Sequence, residues 1–227
     1  MNDSALAWSQ RRSHLIAGLA RGELGGTYAD ACVIAATAFS EIASTLWPGD
    51  DRIDRNRFVE TWHEYTRREI NRNLISVPVL IEWLEKNGQP QDAKRLIDHN
   101  PMAHDFGNLT RIVTWKDVDL CEQKIHEICP ALEFKIIRSH SYANLFYREV
   151  RSAYTHTSPI GKYASSFSMT LDESGVSYEN KMHVPHRRIH FEVDWLIQVL
   201  NLIVQNLEPD FRESPRTRPA QWWLNGA

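Results

Sequence analysis

The stretch Leu145-Phe146-Tyr147-Arg148-Glu149-Val150-Arg151-Ser152-Ala153-Tyr154-Thr155-His156-Thr157-Ser158-Pro159 decides how this chain folds and what chemistry it can carry. Tyr142, Leu145, Phe146, Val150, Ala153 and Tyr154 recur at intervals of about three and four, which predicts a helix with one buried stripe. Asn144, Arg148, Arg151, Ser152 and Thr155 fall on the opposite, polar side. Arg148 and Arg151 are three apart and therefore neighbours, whereas His156 lies five beyond Arg151. Five residues turn an α-helix by roughly 500°, leaving those two side chains about 140° apart. Pro159 and Gly161 predict that the helix stops near His156, so that its imidazole can swing back toward the arginines or meet a second copy of the motif. A histidine in a last turn also faces the negative end of the helix dipole, which favours its protonated form. Arginine and histidine at this spacing, followed by small polar residues and proline, are what RNA-cleaving chemistry without a metal would need.

Arg151, four intervening residues and His156, on the penultimate long helix of a helical protein, resemble the R-x4–6-H motif of the HEPN superfamily. Members of that superfamily are commonly metal-independent ribonucleases of toxin–antitoxin, abortive-infection and CRISPR systems. The resemblance implies a helical-bundle homodimer whose two motifs face each other, with no cofactor. It also implies that His156 assists proton transfer at the RNA 2′-hydroxyl or leaving oxygen, while Arg151 stabilises charge on the phosphate. Ser152 stands where that motif usually has Asn, Asp or His. Ser152, Arg148 and Lys162 are the expected substrate-binding residues. The stretch Tyr28 to Tyr65, with Trp47-Pro48-Gly49-Asp50 and Ile53-Asp54-Arg55-Asn56-Arg57-Phe58, is similar to uncharacterised bacterial HEPN-like proteins. His156 is followed by Thr157 and Ser158, so the H-x-Y continuation on which tyrosine AMPylation acts is absent.

A chain of 227 residues is long enough to bury a substantial core, and no repeat, low-complexity segment or linker divides it, so one domain over 1–227 is expected. A net charge of −3 argues against a protein that coats nucleic acid. From Arg138 to Tyr163, however, Arg138, Arg148, Arg151 and Lys162 face Glu149 alone, a local cationic excess that could attract phosphate. Cys32, Cys121 and Cys129 are odd in number and lack C-x-x-C spacing, which argues against disulfides and a zinc knuckle and favours a reducing cytoplasm. The N-terminus is not basic and no signal-peptide core follows it, and no stretch is expected to approach the length of a membrane span.

The chain outside the motif reads as mainly α, a helical bundle of HEPN type with one small β-hairpin. N-terminal helices fill 4–98: about 4–21, Tyr28 to Leu46, Asp54 (as N-cap) to about Ile70, Val77–Lys86 and Gln91–Asp98. Helix Tyr28 to Leu46 is apolar nearly all round, so it is buried in a bundle or between subunits. Asn100 to Arg111 is loop-like, and Thr114 or Asp117 caps a helix through Ile128. The motif helix covers about 138–156. Alternation at Ser165, Phe167, Met169 and Leu171, a turn at Asp172-Glu173-Ser174-Gly175, and renewed alternation at Val176, Tyr178 and Asn180 predict a β-hairpin over about 165–182. A last amphipathic helix is expected at about 187–207, and a tail over 208–227 carries Trp222-Trp223, which must be buried.

A rival site is the H-x2-H-x3-H set His183, His186 and His190, the latter two on one face if helical. It lacks the glutamate of H-E-x-x-H and carries Arg187-Arg188, which repels a cation, so the expected site contains no metal. The resemblance implies an endoribonuclease, a toxin or phage-defence effector, giving 2′,3′-cyclic phosphate ends. RNA and an antitoxin or regulatory protein are its expected partners, and no membrane is. The alternative is a non-catalytic module that binds a nucleotide, RNA or a protein partner.

Overall fold

A computed structural model describes residues 3–69, 72–104, 112–153, 161, 163–165, 175–180, 187–207 and 214–226. The fold is mainly helical with a small antiparallel sheet. Helices α1 (Asp3–Ala20), α2 (Tyr28–Leu46), α3 (Asp54–Thr66), α4 (Val77–Lys86) and α5 (Pro90–His99) occupy the N-terminal part as expected. α2 starts at a capping box, in which Asp30 accepts from the Thr27 backbone and the Thr27 hydroxyl accepts from Asp30 N–H. Packed against α1 and α3, it buries Ala31, Cys32, Ala35, Phe39, Ile42 and Leu46. The expectation that no stretch reaches membrane-span length fails here, since α2 is long and apolar enough to cross a membrane by length and composition. Half of that span is buried inside the fold.

The predicted helix from Thr114 through Ile128 is two. Strand β1 (Val113–Thr114) leads into α6 (Trp115–Val118), capped by the Thr114/Asp117 box. The chain then opens at Asp119 before α7 (Glu122–Ile128). The break turns Asp119 inward: its carboxylate accepts from the hydroxyl of Tyr142, from that of Tyr178 at 2.6 Å and from Val77 N–H at 3.0 Å. Helix α8 (Phe134–Arg138) is separate from the motif helix, α9 (Tyr142–Phe146), whose N-cap Ser141 accepts from Asn144 N–H. α9 continues over Tyr147–Ser152 as a π-helix. The motif helix therefore begins about four residues later than the expected 138.

Strand β2 (Val176–Asn180) pairs with β3 (Arg187–Phe191) and with β1, giving the order β1-β2-β3. Tyr178 stands opposite both Ile189 and Val113. The hairpin expected at 165–182 thus takes its second strand from 187–191; residues 166–174 lie outside the described residues, while Ser165 N–H donates to Ile189 O at 2.9 Å. The last helix, expected from 187, is α10 (Val193–Asn206). Ile189 and Phe191 alternate with Arg188 and His190, a period of two that belongs to a strand. His190 accordingly does not lie on a helix; it is buried and stacked on Tyr28 at 4.9 Å. His183 and His186 lie outside the described residues.

The centre is aromatic: Phe39, Phe58, Trp62, Phe146, Phe191 and Trp195 meet at centroid distances of 5.0 to 6.5 Å. It ties α2, α3, the motif helix, β3 and α10 into one body. The tail docks on this body, with Trp222 edge-on to Trp47 and Trp223 stacked on His63 at 4.1 Å.

Candidate functional site around the motif helix

Phe146 fixes the motif helix in the aromatic core, so the residues that follow it are carried toward the N-terminal end of α3. Arg151 projects from the π-helical stretch, 28% exposed, with Nη2 3.7 Å from Asp54 Oδ2. That separation makes an ion pair rather than a hydrogen bond. Asp54 also receives Arg57, whose Nη1 donates to Trp47 O at 3.2 Å. Asp54 is the first residue of α3 rather than its N-cap, a position held by Ile53. Its carboxylate is turned to the two arginines, at the end of the helix where the dipole favours an anion. Asp54, Arg57 and Arg151 border a groove of about 530 Å³, whose other wall is the Val33, Thr37, Ser40 and Ser44 face of α2.

Arg148 points elsewhere. Its Nε donates to Glu149 Oε1 at 2.6 Å, and its guanidinium lies 5.7 Å from the Tyr163 ring centre. Glu149 is buried, accepts from Tyr163 N–H through Oε2, and accepts Gly161 N–H on its backbone oxygen at 2.7 Å. The chain beyond the motif is thereby returned against the π-helical turn. A Cβ on Gly161 would stand 2.2 Å from Glu149 Oε2 and 3.0 Å from its Cα, so a larger residue requires the Glu149 side chain to move and the two backbones to part by a few tenths of an ångström. The helix stop that the sequence assigns to Pro159 and Gly161 lies at residues outside those described; Gly161 itself makes a close backbone contact with Glu149. Ser152 lies in the same turn, half-buried. His156 and Lys162 lie outside the described residues.

Two residues exchange roles relative to the sequence reading. Asn144, expected on the polar face, is fully buried: Nδ2 donates to Ser139 O at 2.5 Å and Oδ1 accepts from Arg55 Nε at 2.7 Å. Arg138, counted as part of the cationic patch, is buried and donates to Glu122 at 2.7 Å, Trp223 O at 2.8 Å and Gly226 O at 2.9 Å. Arg55 takes its place near the motif, and nothing in the local sequence signals it. Burial, with the neighbouring Arg148 charge, holds the Arg55 pKa below its ordinary value. Tyr147 is shifted up by burial and then by Asp54, against the opposing pull of Arg151, Arg55 and Arg57. Nearby His140 is pushed down to about 4, chiefly by burial, with Arg148 and Arg55 adding to it. It is therefore neutral at physiological pH.

The arrangement sets Arg57 and Arg151 about Asp54 at a groove that Glu41 also lines, so that a polyanion can meet the guanidinium groups at its edge. No group of three or more His, Cys, Asp or Glu able to hold a metal ion occurs among the described residues. Cys32, Cys121 and Cys129 are free thiols. Comparison with family models, curated proteins and solved structures finds no match to this chain.

Proposed function

We propose that this protein is a metal-independent endoribonuclease of HEPN type, acting as a toxin or phage-defence effector in the cytoplasm. The observation that carries the reading is the placement of Arg151: partly exposed, paired with Asp54, at the edge of a groove of about 530 Å³. A partly exposed guanidinium at the edge of such a groove can meet a phosphate, whose oxygens offer it charge-assisted hydrogen bonds. In this reading the RNA 2′-hydroxyl attacks the adjacent phosphorus and the 5′-oxygen leaves. The products are a 2′,3′-cyclic phosphate and a 5′-hydroxyl. His156 moves the proton, Arg151 steadies the phosphoryl oxygens, and two copies of the chain bring their motifs together. The winding of the helix at Arg151 fits this use, because π-helical turns are frequent at functional sites.

The test is cleavage of a mixed RNA substrate in EDTA by the parent, Arg151→Ala and His156→Ala proteins, with product ends mapped. Cyclic-phosphate ends made by the parent and lost in both variants support the reading. Equal cleavage by all three sinks it. The second reading, a module that binds RNA or another partner without cutting, is favoured by the same Asp54 contact, which gives Arg151 a structural use. RNA binding without product would select it.

A further inference from the structure

The described arginines around the motif differ in how many of their donors the protein uses. Arg57 and Arg138 are buried and engaged at their outer nitrogens by carbonyls and carboxylates. Arg55 and Arg148 are held differently. Each is fixed through Nε alone, Arg55 by Asn144 Oδ1 at 2.7 Å and Arg148 by Glu149 Oε1 at 2.6 Å. Among the described residues the outer nitrogens of neither make a hydrogen bond, and Arg55 has no carboxylate partner.

The anchor on Arg55 is costly to build. Asn144 is fully buried, and because its Nδ2 is committed to Ser139 O, its Oδ1 is left to accept. The protein thus uses a buried amide to aim an exposed cation. It holds that cation beside another: Asn144, which grips Arg55, stands four residues before Arg148 on the motif helix, and the Arg148 charge acts on Arg55. Glu149 answers the Arg148 charge, whereas Arg55 has no carboxylate partner among the described residues, so an added anion that joins the two relieves the repulsion that remains. A guanidinium gripped at Nε presents its remaining N–H groups as a fork, the shape that matches two oxygens of one phosphate.

We propose that Arg55 and Arg148 form a preset clamp for a backbone phosphate of single-stranded RNA, one bound beside the groove that Arg151 borders. The inference rests on the nuclease reading only for the identity of the strand. The clamp is a positioning device: it touches the substrate backbone, carries no proton and reads no base.

The experiment measures binding of a fluorescein-labelled 12-nucleotide oligouridylate to the full-length His156→Ala protein by anisotropy between 50 and 300 mM NaCl. Arg55→Gln, Arg148→Gln and Arg55→Lys are compared in that background. Arg95→Gln, on exposed α5 and paired with Asp92, is the control. Each glutamine variant at the clamp should weaken binding about tenfold at low salt and reduce the slope of log K against log salt by about 0.7, the loss of one phosphate contact. Arg55→Lys keeps charge without a fork and should recover part of the affinity; it also serves if Arg55→Gln does not fold. Arg95→Gln should match its background. Parent-like affinity and slope in both Arg55→Gln and Arg148→Gln overturn the clamp, as does absence of RNA binding by the background protein at tens of micromolar. RNA that is held through these arginines but never cut would overturn the nuclease reading and leave the clamp. His156-dependent cleavage that proceeds in Arg55→Gln and Arg148→Gln at parental KM would do the reverse.

Discussion

Asp119 gives the fold a pH dependence that can be measured without knowing the substrate. Its carboxylate sits between Tyr142, Tyr178 and Val77 N–H, where burial raises its pKa from 3.8 to about 7 against those three hydrogen bonds. The folded state therefore holds the Asp119 proton more tightly than the unfolded chain does. The stability this provides is fully present below pH 3.8 and is lost as pH rises toward 7. At about 1.4 kcal/mol per pH unit, the gap is worth about 4 kcal/mol. Glu60, also raised by burial, adds a slope of the same sign, whereas His63 and His140, lowered by burial, oppose it. The parent curve alone thus mixes several groups. Asp119→Asn separates them, because its oxygen can keep the bond from Val77 while its NH₂ donates to the two tyrosine oxygens. Urea unfolding followed by tryptophan fluorescence, at intervals from pH 4.5 to 7.5, should show the variant gaining on the parent by about 1 kcal/mol per pH unit. A parent-to-variant difference that stays constant across that range, or that shrinks as pH rises, refutes the reasoning.

Three further substitutions probe the motif region and its supports. Gly161→Ala forces a Cβ into the backbone of Glu149 and should cost about 1–3 kcal/mol in urea unfolding, with loss of RNA cleavage; an unchanged midpoint and rate would show that this contact is not made. Asn144→Ala deprives the Ser139 carbonyl of its donor and releases Arg55, so a cost of about 1–3 kcal/mol is expected together with the weakened RNA binding of Arg55→Gln. Trp223→Ala removes the stack on His63 and loosens Arg138; the unfolding free energy should fall by about 2 kcal/mol, roughly half a core tryptophan, while RNA affinity in the folded protein stays at the parental value.

The parts of the fold that could be read from sequence are those in which period and punctuation agree. The bounds of α2 and α4 follow from apolar spacing closed by Trp47-Pro48-Gly49 and Asn87-Gly88. Where one period runs into another, the boundary is not legible. Ile189 and Phe191 alternate for only five residues before Val193 starts a helical pattern, so strand and helix were merged. The interruption at Asp119 was equally hidden, because a carboxylate between two amphipathic segments looks like solvent-facing helix until Tyr142 and Tyr178, remote in sequence, are brought to it.

The site was legible only where its residues are sequence neighbours. Arg148 and Arg151 both lie in the motif turn, yet their partners could not be read from spacing, since Asp54 comes from α3 and Tyr163 from beyond the motif. A count of charges along the chain assigned Arg138 to the patch and left out Arg55. Folding reverses both, because a cation contributes to an outer field according to what already satisfies its donors. Arg138 is enclosed by Glu122 and two tail carbonyls, and little of its charge is available outside. Arg55 is gripped by a neutral amide, so its full charge remains directed outward. A basic spot can therefore exist on a chain of net charge −3 where an amide rather than an acid holds an exposed arginine, as Asn144 holds Arg55. Asn144 is the residue on which this distinction turns: with Asp in its place, Arg55 would become half of a neutral pair and an incoming phosphate would have to compete with a carboxylate for the same fork.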